Sequence, residues 1–327
     1  MIEFILASIV GLLLIAKAGD VFVDSACRVA RSIGVPQATI ALTLVAFATS
    51  APEFFTAIIA AGAGNTGIPY GDVVGSNIVN ITPILALAVV FGMARVNRGQ
   101  LGEGVIMLAV GGALAAMALN GVIEPIEGLL LLAIFALFLR FVVKRERMRR
   151  KSTKQNTTYK QERLSKLLLL FVIGTAGVIV GSWLLIFGGA GIARTALVAA
   201  GLTLIEAEAA VGFTIIAIGT SIPELATIVI SIRKKLPEIS VGTIVGSCTF
   251  NAAFITGCAA LIRPLAVDSQ ALWFSTPMML AVMALLVGFM WGRRRLTRGQ
   301  GIALFVFYAV YLAGLVFLYG PGRGTLP

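Results

Sequence analysis

Val45-Ala46-Phe47-Ala48-Thr49-Ser50-Ala51-Pro52-Glu53 sets a carboxylate, two hydroxyls and a proline inside an otherwise apolar run. Ile216-Ala217-Ile218-Gly219-Thr220-Ser221-Ile222-Pro223-Glu224 does the same further along the chain. Gly75-Ser76 and Asn80 follow the first stretch, and Gly246-Ser247 and Asn251 follow the second at the same distance. The offset is 171 residues throughout, without a gap from Thr43 to Asn80, and 14 of those 38 positions are identical. A carboxylate at the centre of a membrane helix costs about 2.5–3.5 kcal/mol on insertion scales. Two of them, in register and among the same hydroxyls, point to a site that uses both acids.

Around these stretches the composition is that of a membrane protein: 58% hydrophobic and 13% charged over 327 residues. Apolar runs of spanning length recur at 2–24, 36–62, 70–92, 101–119, 124–143, 166–192, 210–232, 238–262, 271–291 and 300–319. The expectation is an all-α polytopic membrane protein of ten transmembrane helices, with no soluble domain left over. The first run starts with Glu3, lacks a basic start and is followed by Lys17 and Asp20, so it reads as a retained helix rather than a signal peptide.

The net charge of +11 is distributed by topology, not for nucleic acid. In a ten-helix arrangement 23 Lys and Arg fall on one side, eleven of them between Arg140 and Lys166, and only Arg194, Arg263 and Arg323 on the other. That contrast is the positive-inside rule. It predicts both termini outside the cell and a basic cytoplasmic loop over 144–165, facing lipid headgroups. Cys27, Cys248 and Cys258 have no zinc or redox spacing, and the chain has no histidine, which excludes catalytic His and His-based metal sites. Asn156-Thr157-Thr158 matches a glycosylation acceptor but falls in the cytoplasmic loop.

Five runs precede the loop and five follow it. An odd number per repeat inverts the second copy, as in many secondary transporters whose sites lie at the repeat interface. The expected organisation is therefore a first five-helix repeat over 1–143 and a second over 166–327. Pro52 and Pro223 lack an amide hydrogen and clash with the carbonyl four residues earlier, so each helix must bend and backbone carbonyls near 46–49 and 217–220 lose partners. Ser76 with Asn80, Ser247 with Asn251, Thr49 with Glu53 and Thr220 with Glu224 are four apart and share helix faces.

The candidate ligands are all oxygen: Glu53 and Glu224, the hydroxyls of Thr49, Ser50, Ser76, Thr220, Ser221 and Ser247, the amides of Asn80 and Asn251, and main-chain carbonyls. Such a cage suits hard cations, Ca2+ and Na+ alike. One Ca2+, or two or more monovalent ions, neutralises two carboxylates, so either cargo excludes the other. A single Ser or Thr in a membrane helix more often serves packing; beside a doubled Glu the ligand reading prevails. Asp20, Asp24, Asp72, Glu103, Glu124, Glu127, Glu206, Glu208, Glu238 and Asp268 are expected near helix ends, outside the site.

At these motifs the chain resembles the cation/Ca2+ exchanger superfamily, specifically prokaryotic sodium/calcium exchanger-like proteins. The resemblance covers the ten-helix length, with alpha repeats at about 36–92 and 210–262. It implies a core of helices 2, 3, 7 and 8 around adjacent cation sites, and long tilted helices 1 and 6 that slide across it. It further implies Glu53 and Glu224 as central carboxylates, with Thr49 and Thr220 at the Ca2+ site and Asn80 and Asn251 flanking the middle. Ser50, Ser76, Ser221, Ser247 and the carbonyls of Ala46 and Ala217 would complete the Na+ sites. Some relatives carry Asp where this chain has Asn251, Cys248 stands opposite Asn77, and the short loop cannot hold the Ca2+-sensing domains of larger animal relatives.

The expected activity is Na+/Ca2+ antiport, with no cofactor, no enzyme chemistry and no protein partner. H+/Ca2+ antiport through the same cage, or K+ co-transport, stands as the alternative. A channel fits inverted halves poorly, and an intramembrane hydrolase lacks a base.

Overall fold

The structure, a computed structural model, describes residues 2–33, 37–92, 94–96, 98–152, 163–199, 219–291 and 295–319. It is almost wholly helical, as lipid requires of a chain that must satisfy its backbone internally. Helix α1 is Ile2–Ser32, followed by α2 (Ala41–Thr49), α3 (Ala51–Gly62), α4 (Gly67–Val90), α5 (Arg98–Met117), α6 (Pro125–Ser152) and α7 (Leu164–Ala199). After residues 200–218 come α8 (Ile222–Arg233), α9 (Ile239–Ile262), α10 (Ala271–Met290) and α11 (Arg298–Tyr319).

Among the described residues eight helices are long and apolar enough to cross a membrane, and α2 with α3, bent by 51°, makes a ninth. The expected run at 210–232 is described only from residue 219, where it continues as α8. Residues 144–152, expected in the basic loop, instead prolong α6 to Ser152. Arg, Lys, Glu and Met are good helix formers, and an apolar run ends where hydropathy changes, not where helicity does.

Helices α4 and α9 form the centre, with 78% and 83% of their apolar windows buried, against 17–28% for α1, α6, α7 and α11. The outer helices expose Leu12, Leu13, Leu129, Leu130, Leu137 and Trp183. Such a surface would be a liability in water and is the expected face in lipid. Helices α1 and α7, 31 and 36 residues long, lie against each other. Their backbones touch across small residues: a Cβ on Gly11 would sit 2.7 Å from the Gly181 carbonyl, and one on Gly174 2.7 Å from the Phe22 amide. This is the close packing that small residues permit between membrane helices.

Two cross-connections tie loops at different places in the chain. Val122 and Ile123 pair antiparallel with Ala266 and Leu265. Arg95 bridges Arg295, and the Leu296 amide donates to the Ala94 carbonyl at 3.1 Å. Shifted by the repeat offset, each connection matches the other to within two residues. Asp20 and Asp24, inside the C-terminal half of α1, hold basic residues at the C-terminal end of α8, with Lys234 Nζ 2.7 Å from Asp24 and 3.5 Å from Asp20.

Candidate cation site

Ser50 is the hinge between α2 and α3, with φ −83° and ψ 12°, and Ser221 precedes α8 with φ −85° and ψ 8°. Both lie outside the helical region, one residue before the first turn that carries the proline. The amide missing from Pro52 or Pro223 therefore falls in a first turn, where it has no helical partner to lose. The restarted helices aim Glu53 and Glu224 inward from that first turn, where the backbone amides favour negative charge.

The two copies meet crosswise. Ser50 Oγ donates to Glu224 Oε1 at 2.9 Å, and Ser221 Oγ donates to Glu53 Oε1 at 3.3 Å. Each carboxylate thus takes a hydroxyl from the opposite half, and the two carboxylates are close enough to repel electrostatically. Ser247 Oγ adds a second bond to Glu224 Oε1 at 3.2 Å, and lies 3.5 Å from Thr49 Oγ1. Cys248 Sγ reaches the Asn77 carbonyl at 3.8 Å. These two residues are themselves repeat equivalents, so that contact lies where the halves exchange places.

Glu53, Glu224, Ser50, Ser221, Ser247, Asn80 and Asn251 are fully buried, and Ser76 and Thr49 nearly so. No Lys or Arg among the described residues forms an ion pair with either glutamate. Glu53 Oε2, Glu224 Oε2, Ser76 Oγ, Thr220 Oγ1 and the side-chain amides of Asn80 and Asn251 are buried without a hydrogen-bond partner. Buried polar atoms are nearly always paired. Here unpaired oxygens gather round two unneutralised carboxylates, and the donor set contains no sulfur or imidazole ligand. That chemistry fits a hard cation held as cargo.

Local sequence explains the geometry. Asn80 opens a widened π-type turn over Asn80–Ile84, and Asn251 lies in another over Phe250–Ile255. Such turns cluster at functional sites because they release backbone groups and re-aim side chains. Thr256 Oγ1 takes up the Asn251 carbonyl at 3.2 Å. Gly246 sits where any side chain would collide: a Cβ there would overlap the Leu42 carbonyl and lie 2.7 Å from Ala46 Cβ. Phe22 of α1 and Thr175, Val178 and Ile179 of α7 close over Ala48, Thr49 and Pro223.

Three expectations change. The Ala46 carbonyl is not free, since it accepts the Ser50 amide at 3.0 Å and Thr49 Oγ1 at 3.2 Å. The first segment stays helical up to Ser50, whose amide closes its last turn on that carbonyl. Asp72 does not sit at a solvated helix end; its Oδ2 is buried and its carboxyl faces Thr220 beside Glu53. Glu103 is likewise buried, and it pairs with Arg145 of α6, which also donates to the Gly99 carbonyl at 2.9 Å. Ala217, Glu206 and Glu208 lie outside the described residues.

Known proteins match nearly the whole of this chain. A family described as sodium/calcium exchanger protein matches residues 3–144 and 166–317. Inner membrane protein YrbG of Escherichia coli (strain K12) is 33% identical over 318 residues, which cover 95% of this chain and 96% of that protein. Sodium/calcium exchanger MaX1 of Methanosarcina acetivorans is 28% identical over 349 residues, covering 95% of this chain and 97% of its own. The solved structure of the sodium-calcium exchanger NCX_Mj soaked with 10 mM Na+ and 10 mM Sr2+ matches with a TM-score of 0.81 at 26% identity. It aligns with 96% of this chain across 99% of its own length.

Proposed function

Because the chain belongs to the sodium/calcium exchanger family, we propose that it is an antiporter that moves Ca2+ against Na+ across the cell membrane by alternating access. The observation that carries the reading is the crosswise bonding of Ser50 to Glu224 and of Ser221 to Glu53, which unites two buried carboxylates in one oxygen cage. Glu53 and Glu224 would hold Ca2+ between them, with Thr49 and Thr220 contributing to its shell and Asn80 and Asn251 flanking the middle of the cage. Ser50, Ser76, Ser221 and Ser247, with the carbonyls of Ala46 and Ala217, would hold Na+ in flanking positions. The Ala46 carbonyl would enter the shell only as the Ser50 and Thr49 bonds to it loosen.

Exchange follows from charge. Glu53 and Glu224 together match one Ca2+ or two Na+, and with neither bound two unscreened acids would face each other in a low-dielectric interior, which is unfavourable. The protein therefore crosses between its two open states loaded, which couples the ions. Helices α1 and α7 would slide as a pair over the core, uncovering the cage first on one side and then on the other. In this reading the halves are inverted repeats, 1–143 and 166–327. The termini lie outside and the basic residues inside, by the asymmetry of Lys and Arg.

The test is Ca2+ flux in liposomes containing purified protein, under imposed Na+, H+ or K+ gradients at clamped voltage. An opposing Na+ gradient is expected to drive Ca2+ movement. Flux driven by a pH gradient and indifferent to Na+ would overturn the reading in favour of H+/Ca2+ exchange.

A further inference from the structure

Asp72 breaks the symmetry of the cage. On α4, Asp72, Ser76 and Asn80 follow one another at four-residue spacing and so line one face. The corresponding residues of α9 are Thr243, Ser247 and Asn251. Position for position the two rows agree except at the first, where one copy has a carboxylate and the other a hydroxyl. Asp72 lies beside Glu53, and its carboxyl faces Thr220. Glu53 Oε2, Ser76 Oγ, Thr220 Oγ1 and Asp72 Oδ2 are all buried with no hydrogen-bond partner, and Thr220 is only 9% exposed.

A buried carboxylate needs a counter-charge. Glu103 has one in Arg145. Asp72 has no Lys or Arg in ion-pair range among the described residues, and the stretch 200–218 contains neither residue type. The Asp72 carboxyl meets a second acid, Glu53, and the Thr220 hydroxyl, while its Oδ2 is buried with no hydrogen-bond partner, which is the setting of a cation and not of an ion pair.

We propose that Asp72 is a ligand for a monovalent cation on the Glu53 side of the cage, shared with Glu53, Ser76 and Thr220. It would supply there a third negative charge that Asn251 does not provide. The inference rests on the exchange reading and adds to it a difference between the two flanks. The flank with Asp72 holds Na+ tightly, and the flank with Thr243 holds it loosely. With Ca2+ between Glu53 and Glu224 one negative charge is left over, so Na+ on the Asp72 flank and Ca2+ bind together. Full displacement of Ca2+ then needs further Na+ at the central acids.

The experiment is equilibrium binding of radioactive Ca2+ to the purified full-length protein, titrated with Na+, for wild type, Asp72→Asn, Asp72→Thr and Asp72→Glu. In wild type, low Na+ should leave Ca2+ bound while radioactive Na+ binds beside it. In Asp72→Asn and Asp72→Thr that Na+ affinity should fall at least about tenfold, the lower end of what losing a supporting group does to a metal site. Ca2+ affinity without Na+ should change much less. Asp72→Glu, which keeps the charge, should retain most of the Na+ affinity and shows that the site tolerates substitution. Wild-type Na+ binding in both neutral variants would overturn the inference, as would an equal loss of Ca2+ and Na+ affinity, which would make Asp72 part of the central site. If Na+ fails to displace Ca2+ even from wild type, it is the exchange reading that fails.

Discussion

Glu53 and Glu224 each depend on a serine from the other half, so single substitutions at this site act across the interface. Replacing either acid by Gln leaves a buried Ca2+ facing one compensating charge at the centre. Glu53→Gln and Glu224→Gln are each expected to abolish Ca2+ flux in proteoliposomes, and transport surviving in both would discredit the site. Removing a hydroxyl is milder. A hydrogen bond to a charged group contributes about 1.5–3 kcal/mol, so Ser50→Ala and Ser221→Ala should each weaken Ca2+ binding roughly 10–100-fold. The double variant should lose less than the product, because the two bonds serve one cage; isothermal titration of all three would show it. At this scale the glutamates, hydroxyls and asparagines were readable from the chain, because an acid repeated in register inside apolar runs is too costly unless a bound charge offsets it. Asp72 was not. Its neighbours Gly71 and Tyr70 resemble a helix end, and what shields it there, Thr220 and Glu53, comes from other parts of the chain.

Among the elements, the α2–α3 bend and the seat of α9 on α2 carry the geometry. The prolines announced the bend, and its angle of 51° follows from restarting the helix at Ala51. The glycine at 246 was readable only as half of a repeated Gly-Ser pair; its role emerges from the Leu42 carbonyl, which occupies the space a Cβ would need. Gly246→Ala must push α2 from α9, and overpacking of this kind destabilises by about 1–3 kcal/mol. The expected outcome is a lower unfolding temperature in detergent together with weaker Ca2+ binding, since Ser247 moves with its neighbour. Helix lengths were harder to read. Hydropathy marks where a chain leaves the hydrocarbon, whereas α1, α6 and α7 run on through polar residues for as long as backbone hydrogen bonding and good helix formers sustain them.

Across the whole molecule, α1 and α7 form one layer and the crosswise core the other, and the proposed transport is movement of one over the other. Cysteines at Phe4 and Phe187, whose rings lie 5.4 Å apart between α1 and α7, joined by a short bismaleimide in a background without native cysteines, should leave Ca2+ exchange intact because both belong to the moving layer. Bridging Gly19 of α1 to Ile230 of α8, whose Cδ1 would overlap a Cβ built at Gly19, should stop it. Exchange blocked by both bridges, or by neither, would refute movement of α1 and α7 as a unit. The apolar runs were legible because lipid demands about twenty apolar residues per helix, and among the described residues eight stand as spanning helices and the bent α2–α3 pair as a ninth. The pairing of Val122–Ile123 with Leu265–Ala266 was not, since two-residue strands leave no periodic signal. Those paired loops and the exchanged serines also bear on ancestry. A gene for either half alone would encode an acid without its serine, unless a second copy of the product came to lie beside it. A fused gene keeps the two stretches together, and it frees each to drift from the other, as Asp72 opposite Thr243 records.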